Sequence, residues 1–322
     1  MGLLEGKVAV VTGAGRGIGR GEVLELARQG ARVIVNDVDA QAAADVVTQI
    51  RAERADAGAA VHVGDCSDVE AADSLVTQAL ETFGRLDAVV NNAGIVRDRT
   101  VAKMSPEEWD AVIRVHLRGH YALTHAACAY WKEHGGQPNT GHIVCTASTS
   151  GLLGNFGQAN YGAAKAGIAA FSTIVAQEMA RYGVTCNAIA PAARTRMTEG
   201  AYGDIPGGSG DARDAVPAPS GSVSSGEVFD FWHADNVAPL VAFLCSDSSA
   251  HISGKIFGVQ GDTVELYRPA TSVAVVENGK TRWDAAELAR RVGELFEASG
   301  IVPGPENMMA KLRYSMTDRN HP

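Results

Sequence analysis

The sequence predicts an α/β protein: a doubly wound parallel sheet with helices on both faces, followed by a C-terminal extension. Three observations predict it. Short apolar runs alternate with longer helix-like stretches along most of the 322 residues. These runs are continuously apolar, as strands buried on both faces are. The first run leads directly into a cluster of glycines, Gly13, Gly15, Gly17 and Gly19.

The β-branched run at 7–12 reads as the first strand, and 17–29 as the helix that follows. Strands at 32–37 and 59–63 enclose a helix at 40–53, and a helix at 69–83 leads to a strand at 86–91. A long helix is expected over 105–132, with Ser105 at its N-cap, Pro106 in its first turn and Glu108 placed for a capping box. A strand at 141–146, a helix at 159–181, a strand at 184–189, a helix at 236–246 and a last core strand at 255–259 complete the alternation. The expected catalytic domain is 1–261 and the extension 262–322. Residues 194–235 interrupt the rhythm with the Gly-, Ser- and Pro-rich stretch "GDIPGGSGDARDAVPAPSGSVSSG". A long irregular loop inside a compact domain is usually functional or disordered, and a cover over a substrate pocket is the functional reading. In the extension, "TVELYR" and "SVAVVENGK" read as a strand pair, with "ENGK" as a tight turn and a helix near 284–299.

Composition narrows the function. Apolar residues make up 46%, enough for a substantial core, and the formal net charge is -9. That charge disfavours nucleic acid and anionic membranes as partners. Cys66, Cys128, Cys145, Cys186 and Cys245 are scattered and never form C-x-x-C, which argues against a disulfide framework or a zinc site and points to a reducing compartment. The nine histidines show no metal-ligand spacing, so no metal is expected. With no signal-peptide pattern at "MGLLEGKVAVVTG" and no apolar run of membrane-spanning length, the expected location is the cytoplasm.

In "TGAGRGIG" the glycines follow a strand and open a helix. This is the Rossmann-like setting in which one glycine turns the chain, another lets backbone approach a pyrophosphate, and a third lets helix and strand pack closely. The helix N-terminus then offers free N–H groups to the phosphates. The second strand ends at Asp37, whose carboxylate suits a ribose diol and repels a 2′-phosphate, so NAD is expected rather than NADP. Arg16 in the glycine loop pulls the other way, because it could stabilise that phosphate.

Three motifs in order, "TGAGRGIG", "NNAG" at 91–94 and "YGAAK" at 161–165, make the chain resemble the short-chain dehydrogenase/reductase family over residues 5–261. The resemblance implies that Gly13, Arg16, Gly17, Ile18 and Gly19 cradle the cofactor, and that Asp65 and Cys66 flank the adenine. It also implies that Asn92, Ala93 and Gly94 support sheet and cofactor, while Pro191 and Thr195 hold the nicotinamide carboxamide.

Tyr161 and Lys165 are four apart on the expected helix and share a face, and Ser148 lies just past the strand "HIVCTAS". A tyrosine hydroxyl is a poor base at its free pKa of about 10. A neighbouring ammonium and an oxidised nicotinamide favour the phenolate, so Tyr161 is expected to take the proton of a substrate alcohol while hydride passes to NAD. Ser148 would hold the substrate oxygen, and Lys165 also resembles the family lysine that binds the nicotinamide ribose. Where the family usually carries asparagine, this chain has His116 in "VHLRG". Its backbone carbonyl could keep the family's role of holding a relay water, or the residue could simply mark a helix kink.

"WDAVIRVHLRGHYALTHAA", "GNFGQANYGAAK", "IAPAARTRMTE" and "DNVAPLVAFLCSD" resemble the (3R)-hydroxyacyl-CoA dehydrogenase units of peroxisomal multifunctional enzymes of type 2 and their 17β-hydroxysteroid dehydrogenase-like relatives. The implied reaction is NAD-dependent oxidation of a 3-hydroxyacyl-CoA, with a sterol side-chain thioester as one form of substrate. Arg194 and Arg196 could meet CoA phosphates or form an ordinary surface pair. The alternatives are a free-steroid dehydrogenase, a 3-oxoacyl-carrier-protein reductase using NADPH, and a non-catalytic NAD-binding regulator. Intact Ser148, Tyr161 and Lys165 weigh against the last. The family also implies a homodimer or homotetramer that pairs the two long helices.

Overall fold

A computed structural model describes residues 2–134, 140–195, 229–268 and 270–306. Its strands are β1 Val8–Thr12, β2 Arg32–Asp37, β3 Ala59–Val63, β4 Ala88–Asn91, β5 Gly141–Thr146, β6 Val184–Pro191, β7 Ile256–Gln260 and β8 Thr263–Tyr267. They form one eight-stranded sheet in the order β3-β2-β1-β4-β5-β6-β7-β8. Neighbours are parallel from β3 through β7, and β8 runs antiparallel to β7. The winding reverses between β1 and β4, which opens a crevice at their carboxyl ends, where open α/β sheets bind ligands.

The helices of this unit are α1 Gly17–Arg28, α2 Ala40–Glu53, α3 Val69–Phe83, α4 Pro106–Ile113, α5 Gly119–His134, α6 Thr149–Leu153, α7 Ala159–Met179 and α8 Ala238–Leu244. Leu26 of α1, Ile50 of α2 and Val241 of α8 pack with Val11, Val33 and Val90 on one face of the sheet. Leu75 of α3, Leu123 and Trp131 of α5, and Ile168 of α7 pack with Val10, Val89 and Ile143 on the other. Adjacent residues such as Val10 and Val11 thus serve opposite layers, as the pleat requires. This is the fold class expected, with both sheet faces buried.

Several elements differ from the sequence reading. The expected helix at 105–132 is two helices joined by a five-residue π-helical stretch, Arg114–Arg118. α6 was not anticipated, and β6 runs two residues further, to Pro191. "TVELY" does not pair with "SVAVV". It adds to the free edge of β7 as β8, through a turn at Gly261 with φ 51°. An unpaired edge of a seven-strand core is a better template than a second isolated strand, whose ladder would have to form alone. "ENGK" does form a turn, with Gly279 and Lys280 both at positive φ, but no strand flanks it.

Two compact units result, Met1–Tyr267 and Arg268–Pro322. The second contains two short helices, α9 Ala285–Arg291 and α10 Gly293–Ser299. The expected pocket cover, with Arg196, falls mostly on 196–228, outside the described residues.

Candidate active site

The glycine loop is built onto the β4 turn. Thr12 Oγ1 accepts the Asn92 and Ala93 N–H groups at 3.1 and 3.2 Å. Asn92 Nδ2 donates to the Thr12 and Gly13 carbonyls at 3.0 and 3.2 Å. A Cβ on Gly19 would lie 2.4 Å from Asn92 Nδ2, so only glycine lets α1 start this close to the sheet. Arg16 at the N-cap of α1 provides no capping side chain, whereas Asp39 and Asp68 cap α2 and α3. The first N–H groups of α1 therefore remain for a ligand. Ile18 turns its side chain to the core and leaves its backbone in the loop. Thr195 reaches the loop from the far side, with its methyl 3.6 Å from where a Gly17 Cβ would be.

Asp37 ends β2 half-buried, and its carboxylate accepts the Gly15 and Asp39 N–H groups at 2.9 and 3.0 Å. Arg16 donates to Asp39 at 2.6 Å, so its charge is engaged beside Asp37. Asp65 is held below its ordinary range: burial opposes ionisation, but bonds from Ser67 and the Arg114 guanidinium, at 2.8 Å, prevail. Cys66 turns inward toward Gly119, and burial, with help from the Asp65 charge, pushes its thiol up to about 12. Pro191 is the last residue of β6, and the next N–H, of Ala192, bonds to Val259.

On the other side of the crevice, Ser148 lies just past β5 and caps α6. Its Oγ accepts the Ser150 N–H at 3.1 Å, which leaves the hydroxyl hydrogen to donate elsewhere. Tyr161 stands in the first turn of α7. Asn160 anchors that turn: its Oδ1 accepts the Tyr161 N–H at 2.7 Å, and its Nδ2 donates to the Arg97 and Glu108 carbonyls. Lys165, one turn on, is fully buried; its ammonium donates to the Thr146 carbonyl at 2.5 Å and lies 5.5 Å from the Tyr161 ring centre. Burial lowers the Lys165 amine to about 7, while Cys145 and Glu22 pull it back up.

His116 lies in the π stretch with its ring edge-on to Tyr161, 5.2 Å between centres. Its Nε2 is 3.0 Å from the Ile95 nitrogen and 2.7 Å from the Ile95 oxygen, and its buried Nδ1 has no hydrogen-bond partner among the described residues. Burial and the nearby Lys165 charge lower the ring to about 3, so it is neutral. Any side chain at Gly94 would collide with it, since a Cβ there would lie 2.3 Å from His116 Cε1. The His116 carbonyl accepts both the Gly119 N–H and, at 2.7 Å, His120 Nδ1.

Sequence reasoning overlooked two residues. His120, one turn beyond His116, looked like any helical polar residue. Glu22 on α1 is wholly buried, and neither carboxyl oxygen has a partner among the described residues. Its only signal was an acid on a face shared with Gly19 and Leu26. Arg194 pairs with Asp230 and donates its N–H to Trp232, so its charge is already matched. Among the described residues no cluster could hold a metal ion, and no helix is long and apolar enough to cross a membrane.

Comparison with known proteins sets this geometry in context. The short chain dehydrogenase family model matches residues 7–204. Hydroxyacyl-CoA dehydrogenase ChsB1 of Mycobacterium tuberculosis is 46% identical over 300 residues, covering 91% of this chain and 89% of that one. Peroxisomal multifunctional enzyme type 2 of Mus musculus is 39% identical over 87% of this chain, which spans only 33% of the mouse protein. A crystal structure of a short chain dehydrogenase from Mycobacterium avium superposes with a TM-score of 0.80 at 40% identity, covering 95% and 99% of the two chains.

Proposed function

The chain belongs to the short-chain dehydrogenase family and is an oxidoreductase acting on CH–OH groups, and from that premise we propose that it oxidises a 3-hydroxyacyl-CoA to the 3-oxoacyl-CoA with NAD. The observation that carries the chemistry is the buried Lys165 ammonium against Tyr161. The likeness to a hydroxyacyl-CoA dehydrogenase along nearly the whole chain supports the substrate class.

The residues present fit a dinucleotide. Gly13, Arg16, Gly17, Ile18 and Gly19, with the uncapped start of α1, would hold the pyrophosphate. Asp37 would take the adenosine ribose. Asp65 and Cys66 would border the adenine, the latter through its backbone because its thiol is buried. Asn92, Ala93, Gly94, Pro191 and Thr195 would line the nicotinamide end. The preference for NAD rests on charge: Arg16 is taken up by Asp39, so a 2′-phosphate would face two carboxylates and no free guanidinium.

When bound, the dinucleotide supplies the hydride acceptor. The protein manages the proton. Ser148 donates its hydroxyl hydrogen to the substrate oxygen, since the cap bond occupies one lone pair of its Oγ and leaves the hydrogen available. Tyr161 removes the alcohol proton, and the Lys165 ammonium stabilises the phenolate that does so. Asn160 keeps the phenol in place by fixing the start of α7. The acyl-CoA is the proposed small-molecule partner. A homodimer or homotetramer would bury the outward apolar residues Tyr121 and Ile174 of the long helices. A cytoplasmic setting agrees with five free cysteines, of which Cys145, Cys186 and Cys245 are fully buried.

The test is a steady-state comparison of NAD and NADP with short, long and sterol-bearing 3-hydroxyacyl-CoA substrates. NAD is expected to prevail, and Tyr161→Phe to lower kcat by about a hundredfold or more. A preference for NADP overturns the reading of Asp37. Undiminished turnover by Tyr161→Phe overturns the proposed base.

A further inference from the structure

We infer that His120 is a positioning residue for Lys165: its imidazole bridges the His116 carbonyl and the backbone of Thr146, whose own carbonyl holds the lysine ammonium. The inference rests on the reading of Lys165 given above, but not on the identity of the substrate.

Each link is short and buried. His120 Nδ1 lies 2.7 Å from the His116 oxygen, and its Nε2 accepts the Thr146 N–H at 3.2 Å. Lys165 Nζ donates to the Thr146 oxygen at 2.5 Å. His120 is 2% exposed and Lys165 1%. A carbonyl can only accept and a backbone N–H can only donate, so the ring is fixed as the neutral Nδ1–H tautomer. Burial disfavours a second proton, and so does the nearby Lys165 charge, against the opposing pull of the His116 and Asn91 backbone oxygens. A protonated ring would also set Nε2–H against the Thr146 N–H.

The bridge stands where β4 ends, while on its other side Thr146 still pairs with Ile189 of β6. β4 stops at Asn91, the register partner of Cys145, so Thr146 is one residue past the last β4–β5 pair. Without His120 the end of β5 would lose an anchor on that side just where Lys165 depends on it. The bridge also joins this strand end to the π stretch, whose His116 ring touches Tyr161. One imidazole thus ties together the supports of both residues assigned to proton transfer. Lys165 has other titratable neighbours, Glu22, Cys145, His116 and Tyr161.

Two isosteres separate the ends of the bridge. An asparagine amide stands where Nδ1 stands and keeps the bond to His116. A glutamine amide stands where Nε2 stands and keeps the bond to Thr146. In full-length protein without ligand, the Lys165 titration is followed by NMR of its isotope-labelled side-chain carbon, assigned through Lys165→Met. In His120→Asn the lysine is expected to titrate lower than in wild type by about one unit, since its charged form loses a well-placed acceptor. In the same variant kcat/KM with NAD and a 3-hydroxyacyl-CoA is expected to fall about tenfold to a hundredfold. His120→Gln is expected to restore the wild-type titration and most of the activity. Equal behaviour of the two variants, whether both intact or both impaired with Lys165 unshifted, overturns the inference. Loss of the fold in both counts against it as well, because packing would then account for His120. A wild-type protein that turns over no hydroxyacyl-CoA would defeat the functional reading and leave the titration result standing.

Discussion

Glu22 is a buried carboxyl that no hydrogen-bond partner among the described residues receives. Burial raises its pKa from 4.5 to about 8, with Lys165 opposing the rise. An acid whose folded pKa lies above its unfolded one carries no ionisation penalty below the unfolded value. The penalty grows between 4.5 and about 8, and at pH 7 it amounts to about 3 kcal/mol. Glu22→Met, of similar volume, is therefore expected to raise Tm at pH 8 more than at pH 5, as read by scanning calorimetry. An equal rise at both values would show that ionisation is not the cause. Such a residue is hard to see in a sequence, because the pattern marks the buried face of α1 but not what stands opposite it. Asp37 and the glycines could be placed from sequence for the opposite reason: a position at a strand end and a tight turn into a helix are set by the local sequence.

Among elements, α4 shows how a local signal reaches the site. Ser105 Oγ accepts the Glu108 N–H at 3.2 Å, and the Glu108 carboxylate accepts the Ser105 N–H at 3.0 Å, the box expected from sequence. The Glu108 carbonyl in turn receives Asn160, which fixes the N–H of Tyr161. Ser105→Ala is expected to cost about 1 kcal/mol in urea denaturation, as cap removal does elsewhere. If the cap also steadies Tyr161, kcat falls with it; a change in stability alone would limit the cap to holding α4. The π stretch between α4 and α5 was not legible. Its extra residue in the turn follows from seating His116 against Gly94 and Ile95, contacts between distant parts of the chain. Helical periodicity continues on either side and does not record the slip.

For the molecule as a whole, the parallel sheet and its two buried layers followed from the alternation of apolar runs, while the strand order and the edge did not. Both "TVELY" and "SVAVV" look like strands, and only the free edge of β7 decides between them. A chain ending at Tyr267 keeps the whole sheet, whereas one ending at Gly261 bares β7. The shorter chain is expected to melt lower and to aggregate on size-exclusion chromatography. Matching behaviour of the two would mean that β8 adds little. The central sheet has one more consequence, for its three hidden thiols. Cys145, Cys186 and Cys245 sit on β5, on β6 and just after α8, all with no exposed surface. No alkylating reagent reaches them until the chain opens, so the pace at which each sulfur is trapped becomes a clock for the breathing of its own layer.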